Sequence, residues 1–230
     1  MKNIFFSFLF LMCGILLFPQ AVQAQFGMGF SAGATYNKLY TKEIRTLEKY
    51  KAEAGFSVSI PMQYFAKDWL AIGWDLSCMQ KNYAWQYGTF SFQTTRNTYI
   101  QLPVMLRFRL FKIKQFKTFI NAGGFGGYWV YSRVNGTILN VYDTENGYSY
   151  NEKSEFDQRR DQRIEMGLLA GISMEYWLKN QCRFFLEARY YYGATDLQQK
   201  NYMINQIPRY NDAFLFQMGC LFNLKKNSKF

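Results

Sequence analysis

The clearest pattern in this sequence is a strict alternation of apolar and small or charged residues across residues 163–193. Every second residue from 164 to 176 is apolar or aromatic, and after a break at 178–181 the alternation resumes at 184–192. Two period-two runs joined by a short break predict an antiparallel hairpin. Each apolar face continues for about ten residues, which is the length that a tilted strand needs to cross a bilayer.

The same alternation recurs along the rest of the chain and predicts six more strands. The apolar faces of these runs cover residues 26–36, 56–64, 70–78, 100–110 and 214–224, and a glycine-rich run lies at 118–131. The predicted fold is therefore all-β, with eight antiparallel strands in up-and-down order.

The connections between these strands alternate between short and long. Short connections are expected at 66–68, 111–117 and 178–181, and long ones at 37–54, 81–98, 132–162 and 194–211. Short periplasmic turns alternating with long external loops are typical of transmembrane β-barrels in bacterial outer membranes. A soluble eight-stranded barrel would instead place polar residues outside and apolar residues around its cavity. The sequence thus predicts a transmembrane barrel with both termini and the short turns in the periplasm.

The first 24 residues have the pattern of a secretory signal peptide. One lysine precedes an apolar run at 4–18, and small residues at 21–24 are spaced for cleavage after Ala24. Residues 25–230 are then expected to form the barrel domain, located in the outer membrane; an uncleaved membrane anchor is the alternative. Aromatic residues make up 20% of the chain, which favours a barrel with aromatic girdles at the two membrane interfaces.

Charge and residue content argue against several functional classes. The net charge of +11 is expected to serve contact with anionic lipid and lipopolysaccharide, because no basic stretch is arranged for nucleic acid. The chain has no histidine, so the usual nucleophilic triads and imidazole metal ligands are excluded. We interpret Asp196 and Asp212, near the outer rim, as solvated surface carboxylates rather than catalytic groups. We expect no enzymatic activity, metal or cofactor, and we interpret Cys78 and Cys220 as small apolar residues rather than parts of a disulfide framework.

The inward-facing positions carry equal numbers of opposite charges. Four acids and four arginines share this phase: Asp75, Glu165, Glu175, Glu187, Arg107, Arg109, Arg183 and Arg189. An unpaired charge away from water is very costly, so we expect one ion-pair network that fills the lumen. A turn near residues 179–180 would set Glu175 across from Arg183. The alternative is a wet channel in which each charge is hydrated independently.

Four short segments span the expected barrel in order and spacing: Tyr99–Pro103, Asn121–Phe125, Glu165–Gly171 and Glu187–Gly193. These segments resemble the PorT-like outer-membrane β-barrel family of Bacteroidetes-type bacteria. The resemblance implies an eight-stranded outer-membrane barrel. It implies no single activity, since some members serve type IX protein secretion.

Two functions therefore remain open for this chain. The first is a non-enzymatic structural or accessory barrel, expected to be monomeric, whose long loops meet a protein partner. The second is a small pore or transporter. Eight strands leave an interior that side chains can fill, which disfavours the pore.

Overall fold

The computed structural model describes residues 26–41, 48–87, 91–138, 147–178, 182–199 and 208–223. These segments contain ten β-strands. The strands are β1 (Phe26–Thr41), β2 (Glu48–Lys67), β3 (Leu70–Gln80), β4 (Tyr83–Tyr87), β5 (Ser91–Ile113), β6 (Phe116–Ile138), β7 (Tyr148–Lys153), β8 (Ile164–Leu178), β9 (Cys182–Gly193) and β10 (Arg209–Asn223). Within these segments there is no helix long and apolar enough to cross a membrane.

Eight of the strands close into a ring, as the sequence predicts. The order around the ring is β1, β2, β3, β5, β6, β8, β9 and β10, and β10 pairs with β1 to complete it. Every pairing is antiparallel. The two remaining strands stand above the ring at one end, where β4 pairs with β2 and β5, and β7 extends the edge of β6.

The two faces of the wall follow the predicted phase. Outward residues such as Phe30, Leu168 and Phe216 are exposed, while the alternating small and polar residues such as Ser31, Ser173 and Gln217 are buried in the lumen. The glycine-rich strand β6, whose phase the sequence leaves open, points Asn121 inward and Ile120 outward. The barrel therefore has an apolar exterior and a polar interior.

Two of the long connections predicted from the sequence, 37–54 and 81–98, are largely strand in the described residues. β1 continues to Thr41 and β2 begins at Glu48, both inside the predicted 37–54 connection. The predicted 81–98 connection contains β4 and the start of β5. The alternation fades there because outward positions beyond the apolar band are polar or charged, as at Lys38 and Arg96. Backbone pairing needs no apolar face, so the strands continue without the periodic signal.

The short turns are tighter than predicted. The chain reverses at Asp68 and Trp69, and again at Lys114 and Gln115, rather than over the whole of 111–117. Lys114 has a positive φ of 52°, which lets a two-residue turn join β5 and β6. The predicted signal peptide at 1–24 and the turn at 179–180 lie outside the described residues.

An arginine on the outer wall tests whether this face contacts lipid. Leu168 lies on β8 and is 64% exposed. We expect Leu168→Arg to lower the free energy of unfolding in lipid bilayers by about 2–4 kcal/mol, because it places a charge in hydrocarbon. Tyr148→Arg is the matched control, since Tyr148 is 65% exposed on β7 above the ring. Equal stability of Leu168→Arg and the parent in urea titrations would show that this face does not meet lipid.

Candidate functional site

The lumen of the ring contains the largest concentration of buried charge in the described residues. The inward phase of β3, β5, β8 and β9 brings these side chains together at three levels along the barrel axis. Each level has its own cluster of ion pairs, which we call the basal, central and upper clusters.

The central cluster is built around Arg189 on β9. Its guanidinium contacts the Asp75 carboxylate, and its Nη2 lies 2.6 Å from Oε2 of Glu187. Glu187 also accepts hydrogen bonds from Nε2 of Gln217 at 3.0 Å and Nδ2 of Asn121 at 2.5 Å. All five side chains are buried. Arg189 therefore bridges two carboxylates from opposite sides of the lumen.

The basal cluster lies near the end of the barrel that holds the short turns. Oε1 of Glu175 lies 2.9 Å from Nη1 of Arg107, and its Oε2 lies 3.3 Å from Nη1 of Arg183. Arg183 also donates to Oε1 of Gln63 at 2.9 Å, and its guanidinium stands 4.7 Å from the ring centre of Trp177. Here one carboxylate is shared by two arginines.

Arg107 joins the basal and central clusters. Its Nε donates to Oδ1 of Asn121 at 3.2 Å, and its Nη2 donates to Oγ of Ser173 at 2.6 Å. Asn121 in turn donates to Glu187. The two clusters thus form one continuous network of ion pairs and hydrogen bonds.

The upper cluster pairs Lys81 with Glu165. Nζ of Lys81 lies 2.8 Å from Oε1 of Glu165, which also accepts from Nδ2 of Asn211 at 3.2 Å. Gln101 donates to the second carboxylate oxygen at 3.1 Å. The ammonium also stands 4.6 Å from the ring centre of Phe125, within range of a cation–π contact. Lys81 was absent from the predicted network because the sequence assigned it to a loop, although it continues the inward phase of β3.

Apolar layers separate and cover these clusters. A layer of buried side chains lies between the central and upper clusters: Met79, Met105, Phe125, Leu169, Tyr191, Ala213 and Leu215. A second layer at the base is formed by Phe65, Ala71 and Phe119, with Trp177 against it. The cavity left beside Asp75 and Arg189 is about 10 Å³, close to the minimum for one water molecule. The lumen is therefore filled along these levels.

Two glycines make room for the long cations. A Cβ at Gly27 would collide with the guanidinium of Arg183, and a Cβ at Gly73 would lie 3.0 Å from Cδ of Arg107. At these two positions a larger residue would crowd the long cation in the lumen.

The predicted network is incorrect at one residue and in one register. Arg109 lies at the barrel end, 3.9 Å from Asp68, whose side chain is 87% exposed, and it does not join the buried clusters. The backbone register of β8 and β9 pairs Glu175 with Phe185, which is two residues away from the predicted partner Arg183. The Arg183 side chain is long enough to reach Glu175 across this difference. With Lys81 in place of Arg109, the buried lumen still contains four acids and four cations.

The other end of the barrel is covered by two segments, residues 154–163 and residues 194–199. Leu197, from residues 194–199, packs with Leu39, Tyr99 and Trp129, and Phe156 packs on Trp129. Backbone hydrogen bonds join these segments, as from the Gln162 nitrogen to the Leu197 oxygen at 3.0 Å. These residues, which the sequence assigned to open loops, form a cap over the mouth.

Inside the cap, Tyr83 of β4 lies in the aromatic cluster, in edge contact with Tyr50 at 6.2 Å. Burial raises the pKa of the Tyr83 phenol above its usual value, so the hydroxyl stays protonated at neutral pH. The cap interior is aromatic at this point, and the guanidinium of Arg209 stands 5.8 Å from the ring centre of Tyr50. In the described segments, no group of three or more Cys, Asp or Glu side chains could hold a metal ion.

Comparison with known proteins gives one family match and several similar structures. The family model described as outer membrane protein beta-barrel domain matches residues 18–199. Neisserial surface protein A is similar at 14% identity and a TM-score of 0.43, covering 88% of this chain and 100% of that one. Ail of Yersinia pestis is similar at 11% identity and a TM-score of 0.41, covering 85% of this chain and 98% of that one. OprG of Pseudomonas aeruginosa is similar at 9% identity and a TM-score of 0.45, covering 88% of this chain and 96% of that one. No curated protein matches the sequence.

A double-mutant cycle tests the central cluster. Arg189→Ala leaves the Asp75 and Glu187 carboxylates buried without their cation, so we expect it to lower the free energy of unfolding by about 3–5 kcal/mol. Glu187→Gln in the same chain removes one of those charges, and the double variant should recover part of the loss. Urea titration of the folded barrel measures both.

Arg109→Ala is the matched control for this cycle, because its only described ionic partner is exposed. We expect it to change stability by less than about 1 kcal/mol. Strict additivity of Arg189→Ala and Glu187→Gln would contradict a coupled cluster.

Proposed function

Since this chain belongs to the outer membrane protein beta-barrel domain family, we propose that it is a closed, non-conducting barrel with a structural or accessory role. The chain resides in the cell outer membrane. The observation that supports closure is the filled lumen, in which buried ion pairs and apolar layers alternate along the axis. A solute pathway would need a continuous column of water past Arg189 and the Met105 layer.

A role at the cell surface is supported by the strands that rise above the ring. The raised ends of β5 and β6, together with β7, place the exposed apolar side chains Phe92, Ile138 and Tyr148 away from the membrane band. These side chains lie on neighbouring paired strands, and exposed aromatic residues are enriched where proteins bind one another. The short segments that resemble PorT-like barrels make a component of protein secretion one partner to seek.

Contact with anionic lipid is supported by a row of cations on the outer rim. Arg96 pairs across the sheet with Arg133, and Arg133 pairs with Lys153, and all three point outward and are exposed. Like charges placed directly opposite destabilise a sheet unless anions neutralise them. Phosphate groups of lipopolysaccharide at the membrane surface would supply such anions.

Neither catalysis nor oligomerisation is needed for this function. The chain has no histidine, and the lumen acids each have a cationic partner. All eight wall strands pair within one chain, which supports a monomer.

Planar-bilayer recording separates the closed barrel from the pore that is its alternative. We expect the purified protein to show no steady conductance, because the lumen lacks a water column. A porin reconstituted in the same membranes controls for recording conditions, and vesicle flotation confirms insertion. Stepwise, sustained conductance from the parent protein would favour the small pore.

A further inference from the structure

Two cysteines meet on the outer wall near the end of the barrel that holds the short turns. Cys182 is the first residue of β9, and Cys220 lies three residues before the end of β10. The register pairs Cys182 with Phe222 and Cys220 with Phe184, so the cysteines are diagonal neighbours on one face. Both thiols are free and half-buried, and their sulfur atoms lie 2.8 Å apart.

This approach is closer than the register alone requires. The Cα atoms of diagonal neighbours in antiparallel strands are typically about 7–8 Å apart. Here both cysteine side chains turn toward each other across that distance. A disulfide needs a sulfur–sulfur bond of about 2.05 Å. Only a small displacement therefore separates the two thiols from bonding distance, and no strand has to move to a new register.

The compartment supplies the conditions for oxidation. An outer-membrane protein passes through the periplasm, where thiol oxidants maintain disulfides. We propose that Cys182 and Cys220 form an intramolecular disulfide, a modification that goes beyond the proposed barrel function.

The reaction is an exchange with the disulfide of a periplasmic thiol oxidant. The thiolate of one cysteine attacks that disulfide to form a mixed disulfide, and the second thiolate then displaces the oxidant. One sulfur–sulfur bond forms in the barrel and one breaks in the oxidant. Two electrons and two protons pass to the oxidant, which leaves as a dithiol.

The bond would connect the last two strands of the ring. β10 also pairs with β1 to close the barrel, so the cross-link anchors the closing strand to its neighbour. Cys78 lies on β3, which β1 and β2 separate from β10 around the ring, and it remains a free apolar residue.

Differential alkylation of outer membranes tests the proposal. Cells are quenched in acid, and the protein is unfolded in denaturant that contains a first alkylating reagent, which labels free thiols. Disulfides are then reduced, and a second alkylating reagent labels the thiols that reduction releases. We expect Cys78, in the tryptic peptide 68–81, to carry the first label. Cys182 and Cys220 should carry the second. Without reduction, peptide 180–183 should be found joined to peptide 210–225.

The variant Cys182→Ser separates this pair from any other partner. We expect Cys220 in this variant to shift entirely to the first label, while heat-modifiable gel migration shows that the barrel still folds. First labelling of both cysteines in the parent would overturn the proposal. So would a disulfide-linked dimer, or continued protection of Cys220 in Cys182→Ser.

Discussion

The ion pairing of Arg189 with Asp75 and Glu187 is the interaction on which the rest of this barrel depends. A ring of eight strands is too narrow to hydrate charges individually, so each inward charge must find a partner of opposite sign. Arg189 meets this constraint for two acids at once, and Arg107 extends the same network to Glu175. Gly27 and Gly73 follow from the same packing of long cations, because the side chains of Arg183 and Arg107 occupy the space that a Cβ would need there.

The exterior is organised by a different constraint. Within the ring, outward side chains are apolar because they meet hydrocarbon, and the same strands continue upward with polar and aromatic exteriors. The cap formed around Leu197 and Phe156 then covers the mouth. A filled lumen, a lipid-facing band and a raised, capped sheet are together consistent with a protein that presents a surface rather than a passage.

The sequence was sufficient to predict the ring but not its extension. Period-two alternation identifies a strand only where its two faces meet different environments, as at Leu168 in lipid and Leu169 in the lumen. Above the band this contrast disappears, so strands β4 and β7 were expected to be loops. Lys81 was missed for the same reason, and Arg109 was wrongly included because periodicity gives the face of a residue but not its height. The proximity of Cys182 and Cys220 depends on strand register, which the alternation alone does not determine.

The closed lumen is tested most directly by the reactivity of a cysteine placed inside it. Met105→Cys, in a chain whose native cysteines are replaced, puts a thiol in the apolar layer between the central and upper clusters. A small cationic methanethiosulfonate should leave this thiol unmodified in the folded barrel and modify it after unfolding in urea. Tyr148→Cys above the ring should react at once in the folded protein. Rapid modification of Met105→Cys in the folded barrel would show that water and ions enter the lumen, and would contradict a closed barrel.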